Sequence, residues 1–172
     1  MTPDLQVSLA TRHDAAKIAA LSRDLIEQGL PWSWRPERVA RAIAAANTNV
    51  AVLREARDEH DKRDKGELDA FGIMEYWDDD AHLVLFAVRP LRQRHGIGSA
   101  LLQWLEASAL VAGSKRIRVE ARRDNTAARS FYNEHGYHEL QIRPRMYSGV
   151  LDGILLEKWL GSSEPDVPQN FA

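Results

Sequence analysis

The segment Val88-Arg89-Pro90-Leu91-Arg92-Gln93-Arg94-His95-Gly96-Ile97-Gly98-Ser99 joins a strand candidate to a helix candidate. Upstream, His82 to Val88 is rich in β-branched and aliphatic residues and predicts a buried strand ended by Pro90. Downstream, Leu101, Leu105 and Ala109 line one face of a helix over Ser99 to Val111, closed by Gly113. Two glycines separated by one residue therefore end a loop where a helix begins. The first N–H groups of a helix lack intrahelical partners and carry the positive end of its dipole. Glycines let a phosphate approach those donors, and Arg92 and Arg94 add positive charge. The segment reads as a diphosphate cradle. It is not a Rossmann fingerprint, which needs a third glycine at Leu101 and a strand directly before the first. Nor is it a Walker A loop, which needs Gly-Lys-Ser/Thr. A tight turn capping the helix is the alternative on these residues alone.

Outward from this segment, the strand candidates are Leu5–Ala10, Asn49–Arg54, Leu68–Trp77, Arg116–Ala121, Tyr137–Ile142 and Ile154–Trp159. Thr11 and Asp14 are set to cap a first helix, whose Ile18, Leu21 and Leu25 recur at helical spacing to about Gln28, where Gly29 closes it. Pro36 opens a second helix reaching Ala46, and Thr126 to His135 is a short one ended by Gly136. Residues 55–67, EARDEHDKRDKGE, read as a solvated hairpin loop, and Asp78-Asp79-Asp80 as a turn. The resulting order is β-α-α-β-β-β-α-β-α-β-β, a mixed α/β layer arrangement. Residues 1–160 are expected to form a single domain, with 161–172 a flexible tail.

Bulk properties narrow the function. The 172 residues suit one domain, 44% hydrophobic and 28% charged, and the formal net charge of −2 gives no sign of a nucleic-acid surface. There is no cysteine, hence no disulfide, thiolate ligand or cysteine nucleophile. The N-terminal stretch has no signal-peptide pattern, and no apolar run nears the roughly 18 residues of a membrane span. A soluble, cytoplasmic protein is expected.

Two motifs carry a family resemblance. Gln93-Arg94-His95-Gly96-Ile97-Gly98 resembles the coenzyme A signature of the GNAT N-acetyltransferases, Gln/Arg-x-x-Gly-x-Gly/Ala. Asn125-Thr126-Ala127-Ala128-Arg129-Ser130-Phe131-Tyr132-Asn133-Glu134-His135-Gly136-Tyr137 is similar to that family's Asn-x-x-Ala-x-x-Phe/Leu-Tyr-x-x-x-Gly-Phe/Tyr helix. The order of the motifs, their separation and the element order across residues 5 to 160 also match. The resemblance implies a central mixed, mostly antiparallel sheet of about six to seven strands, splayed between the fourth and fifth, with helices on both faces. It implies acetyl-CoA as co-substrate, its pantetheine arm on the backbone of Phe86, Ala87 and Val88. Its diphosphate would rest on the N–H groups of Arg94, His95, Gly96, Ile97, Gly98 and Ser99, with Asn125 against the arm. A backbone N–H near Val88 would stabilise the oxyanion, and Tyr132 would be the general acid.

The base is open. Glu120 shares its strand face with Arg118, opposite Val119 and Ala121, and pairing with Arg118 or Arg122 competes with a catalytic role. The Glu120–Asn125–Tyr132 spacing is similar to that of the ribosomal-protein N-terminal alanine acetyltransferases. Glu75 and His82 are the other candidates, as is relay through water. The stretch Met146 to Gly153 keeps only part of those relatives' C-terminal pattern, so the amine acceptor is a peptide N-terminus or a small molecule. Trp32, Trp34 and Tyr147 are candidates for walling its groove, core packing being the alternative for each tryptophan, and Asp78 to Asp80 for attracting a cationic amine. His135 and His138 have no third ligand at metal-site spacing, so no metal is expected. No nucleic-acid or membrane partner is expected, and a homodimer is left open. The competing reading is a non-catalytic acyl-CoA-binding module.

Overall fold

The computed structural model describes residues 5–55 and 67–161, so the expectations for the charged loop and for the tail fall almost wholly outside the described residues. The expected order of elements is observed: β1 (Leu5–Leu9), α1 (Ala15–Leu21), α2 (Pro36–Ala44), β2 (Thr48–Glu55), β3 (Ala70–Trp77), β4 (Asp80–Val88), α3 (Ile97–Val111), β5 (Arg116–Arg122), α4 (Thr126–Glu134), β6 (His138–Tyr147) and β7 (Leu151–Trp159). The strands form one sheet in the order β1-β2-β3-β4-β5-β7-β6. Every pairing is antiparallel except β4 with β5. Apolar side chains on its two faces build two cores. Val50, Val52, Phe71 and Leu85 meet Ile18 and Val39 of α1 and α2. On the other face, Leu83, Val119 and Leu156 meet Leu101 and Leu105 of α3. Among the described residues no helix is long and apolar enough to cross a membrane.

Strand β4 decides where the site lies. Its register against β3 shifts between Ile73 and Met74: Leu85 faces Ile73 and Leu83 faces Met74, leaving Val84 as an extra residue. Such a bulge rotates the strand, so residues before and after it change faces. Leu83 accordingly packs in the α3 core, whereas Leu85 and Ala87 pack under α1 and α2. The β4–β5 ladder covers only Asp80–Leu83 against Arg116–Val119. Beyond it β4 stays bonded to β3 and β5 to β7, so the two strands part at the bulge. This is the splay that the family resemblance implies between the fourth and fifth strands.

Three elements differ from expectation. The first helix is a 3-10 turn at Arg12–Asp14, then α1, then a π-helical turn at Ser22–Ile26. The Glu27 N–H reaches back five residues to the Ser22 carbonyl at 2.8 Å, which widens the last turn. Strand β6 does not stop at Ile142 but continues past Pro144 to Tyr147. It is the sheet's edge, where a proline's missing N–H can face solvent. Helix α3 starts at Ile97, two residues early, because Gly96 at φ 76 takes the left-handed conformation before it.

Candidate active site

The opening between β4 and β5 is a cleft of about 1430 Å³. One wall is the free edge of β4. Arg89 N–H bonds to Asp69 O at 2.8 Å on the β3 side. Strand alternation then turns the N–H groups of Phe86 and Val88 the other way, into the gap. Gln93 Nε2 donates to Val88 O at 3.2 Å and ties the following loop to this edge. That loop enters α3 through two left-handed residues, Arg94 at φ 66 and Gly96 at φ 76, and no side chain caps the helix. The N–H groups of Ile97, Gly98 and Ser99 are thereby left without intrahelical partners. Phe86, Ala87, Val88, Arg94, Gly96, Gly98 and Ser99 line the cleft. Ile97 is buried in the core, and the exposed His95 side chain does not line the cleft. Arg92 is turned to the buried Asp69 at 3.3 Å, so it serves the fold, while Arg94 is exposed at the mouth.

The opposite wall is β5 with α4. Asn125 lines the cleft and caps α4, its Oδ1 accepting from Ala128 N–H at 3.1 Å. Nearly two turns on, Phe131 stacks on Phe86 at 5.6 Å, and Tyr132 packs edge-on against Phe86, Phe131 and Tyr137. Tyr132 is buried, lines the cleft, and its hydroxyl has no hydrogen-bond partner among the described residues. Burial pushes the phenol well above its ordinary pKa, with neighbouring Tyr147 adding to the effect. It is therefore a donor throughout the working pH range.

Glu120 lines the same cleft. Neither competing partner holds it: Arg118 lies 3.5 Å from Glu157, and Arg122 donates to the carbonyls of Ile26 and Gln28, both at 2.7 Å. Its carboxylate has no hydrogen bond or ion pair among the described residues. Its charge is felt by Tyr147, whose hydroxyl is pushed up to about 12 by burial and by Glu120, against the opposing pull of Arg122. Glu75 and His82 face each other across β3 and β4 and do not line the cleft. The acidic turn lies at the other end of β4, where Asp79 pairs with Lys115 and Asp80 with Arg116. No metal-ligating cluster occurs among the described residues.

The third wall comes from the π-helical turn and the loop after it. Trp34 lines the cleft and Tyr147 faces it from the β6–β7 hairpin, whereas Trp32 sits outside between Arg23 and Arg35. Two groups not foreseen from the sequence fix this wall. Arg122 reaches across the splay to two carbonyls, as above. Glu27, buried, accepts from Ser22 Oγ (2.9 Å), Ser33 N–H (2.7 Å), Ser33 Oγ (2.6 Å) and Trp34 N–H (3.2 Å). Burial works to raise its pKa, but these donors outweigh it and hold the carboxyl below its usual range. A group depressed in the folded state contributes stability above its unfolded value, lost as pH falls through the folded one. Glu27→Ala is expected to cost about 2–3 kcal/mol at neutral pH, because buried donors lose their acceptor. The deficit against wild type should shrink below about pH 4 in thermal melts.

Comparison with known proteins places this architecture. Residues 23–137 match the model of the acetyltransferase (GNAT) family. The chain is 38% identical over 88 residues to the ribosomal protein bS18-alanine N-acetyltransferase of Escherichia coli K12, covering 51% of this chain and 59% of that relative. The chain thus spans about six-tenths of the length of the curated relatives it matches. The crystal structure of the Escherichia coli ribosomal-protein-S18-alanine N-acetyltransferase superposes with a TM-score of 0.72 at 25% identity, covering 95% of this chain and 98% of that one. A Salmonella typhimurium structure solved with its cofactor acetyl-CoA gives 0.72 at 19% identity, covering 96% and 98%, a likeness of fold. The chain belongs to the acetyltransferase (GNAT) family.

Proposed function

We propose that this chain, acting as one domain over residues 1–160, moves an acetyl group from acetyl-CoA directly onto a primary amine, with a protein or peptide N-terminus the favoured acceptor. The observation that carries the reading is the cleft itself: orphaned amides on one wall, and an unpaired carboxylate and a buried phenol on the other. The residues present fit the cofactor. The uncapped start of α3 suits a diphosphate, and the outward N–H groups of Phe86 and Val88 suit an amide-bearing arm. When bound, acetyl-CoA supplies the activated acetyl group.

The chain's own residues divide the remaining work. An amine must lose a proton to attack, and Glu120, with no competing partner, is the group placed to accept it. The Val88 N–H is placed to take up charge on the acyl oxygen. Tyr132, which keeps its proton, donates a hydrogen bond to the departing sulfur. The nitrogen sheds two protons in all: the one given up before attack passes from Glu120 to solvent, and the second, lost as the tetrahedral adduct collapses, is balanced by the one the thiolate takes up. Trp34, Tyr147 and the Arg122-braced turn border the acceptor's approach. The peptide preference is supported by the named relative and by the Glu120–Asn125–Tyr132 spacing.

Release of free thiol from acetyl-CoA is the test, run across peptides beginning with alanine, free amino acids, polyamines and amine antibiotics. Turnover with peptides but not small amines is the expected pattern. Coenzyme A binding without thiol release on any amine would leave only a binding module. Glu120→Gln is expected to lower kcat/KM by about 10²-fold. An unchanged pH–rate profile in that variant would remove Glu120 as the base.

A further inference from the structure

We infer that His135 is a positioning residue for the cofactor's diphosphate, acting through the Ser99 hydroxyl and taking up a proton as the anion binds. The inference rests on the acetyl-CoA reading above and adds a residue and a proton to it.

His135 Nδ1 lies 2.7 Å from the carbonyl oxygen of Phe131, and Nε2 lies 2.8 Å from Ser99 Oγ. A carbonyl oxygen only accepts, so Nδ1 carries a hydrogen. In the neutral ring Nε2 is then bare and accepts the hydroxyl hydrogen of Ser99. That hydroxyl has one hydrogen, and in this state the histidine holds it. Yet Ser99 lines the cleft, in the first turn of α3 whose amides are uncapped. An anion arriving there would meet the oxygen's lone pairs. The conflict resolves if the ring gains a proton: Nε2–H donates to Ser99 Oγ, and the hydroxyl hydrogen turns to the phosphate. Both bonds are then made, and both involve charged groups.

The surroundings can hold the ring once it is charged by the arriving anion. His135 follows the last residue of α4, where a cation meets the negative end of the helix dipole. Phe131 offers its carbonyl and, with ring centroids 4.3 Å apart, its aromatic ring. Charged and titratable groups on the adjoining elements are Glu134 of α4, Arg94 and His95 of the loop before α3, His138 of β6, and Lys158 of β7. Lys158 is neutralised by Glu106 of α3 at 2.7 Å. Arg94, exposed at the mouth of the cleft, is drawn to the same anion.

Calorimetric titration with coenzyme A in several buffers of different ionisation enthalpy reads the proton directly. Near neutral pH the wild type is expected to take up about half a proton, the most that a tenfold affinity linkage allows, and to keep doing so with dephospho-coenzyme A, which lacks the separately titrating 3′-phosphate. Ser99→Ala and His135→Asn are each expected to abolish the uptake. They should weaken binding about tenfold near pH 6 and little near pH 9, because only the protonated ring contributes. Binding without proton uptake in the wild type, or uptake unchanged in both variants, would overturn the inference alone. No binding of coenzyme A at all would overturn the acetyl-transfer reading and this inference with it.

Discussion

Tyr132→Phe is expected to bind coenzyme A as the wild type does and to lose about 10²–10³-fold in kcat. The ring of Tyr132 is held by Phe86, Phe131 and Tyr137 at centroid distances of 6.3, 5.4 and 5.5 Å, contacts that phenylalanine reproduces. The hydroxyl makes no hydrogen bond to a described residue, so its removal leaves no donor or acceptor stranded and should barely move the melting temperature. What the variant loses is the one hydrogen that a buried, high-pKa phenol can offer to a developing thiolate. The wild-type rate should accordingly show no alkaline fall from Tyr132 in the working range. Thiol release measured beside calorimetric affinity separates the outcomes. A drop in kcat with unchanged affinity supports the role, whereas unchanged turnover would remove Tyr132 as the acid.

The same residues show why some of the molecule is readable in sequence and some is not. Strand β4 is legible as a short apolar run rich in β-branched and aliphatic residues, helix α3 from apolar residues at helical spacing, and Gly96 marks the junction. The bulge at Val84 is not legible. One extra residue reverses which face is buried without altering the run's apolar character, so Leu83 and Leu85 look alike in sequence yet join opposite cores. Alternation places Glu120 beside Arg118 and Arg122, but does not give the partners those arginines take. Arg122 bonds to carbonyls 94 and 96 positions away, a pairing no local spacing encodes. Glu27 has the same character: a surface-looking helical glutamate becomes a buried acceptor because the π-helical turn bends it inward. The helix and loop motifs also end before the β6–β7 hairpin, as does the family match at residue 137. The cofactor side is thus far more legible than the acceptor side.

Gly98→Val should weaken coenzyme A binding by about 100-fold, the second large effect. A Cβ at Gly98 would lie 3.2 and 3.3 Å from the ring of Phe131 and 3.4 Å from Val88 Cγ2. A bare methyl already demands that these neighbours give way, and a branched side chain must push Phe131 off its stack on Phe86. Phe131 precedes Tyr132 and carries the carbonyl that orients His135, so displacement spreads to both walls of the cleft. Overpacking of this kind costs about 1–3 kcal/mol. Borne by the open, ligand-facing end of the sheet, the upper part of that range converts to about two orders of magnitude in affinity. Gly113→Ala is the matched control. Gly113 has φ 89, and a Cβ added there would meet nothing within 4 Å, so the substitution strains the backbone without touching the cleft. It should lower the melting temperature by about 2–4 °C per kcal/mol lost and leave the affinity for coenzyme A unchanged. The pair discriminates sterics at the cleft from general weakening of α3, since the two glycines lie near opposite ends of that helix. Equal losses of affinity in both variants would mean that helix stability, not the close approach of Gly98 to Phe131, governs the site.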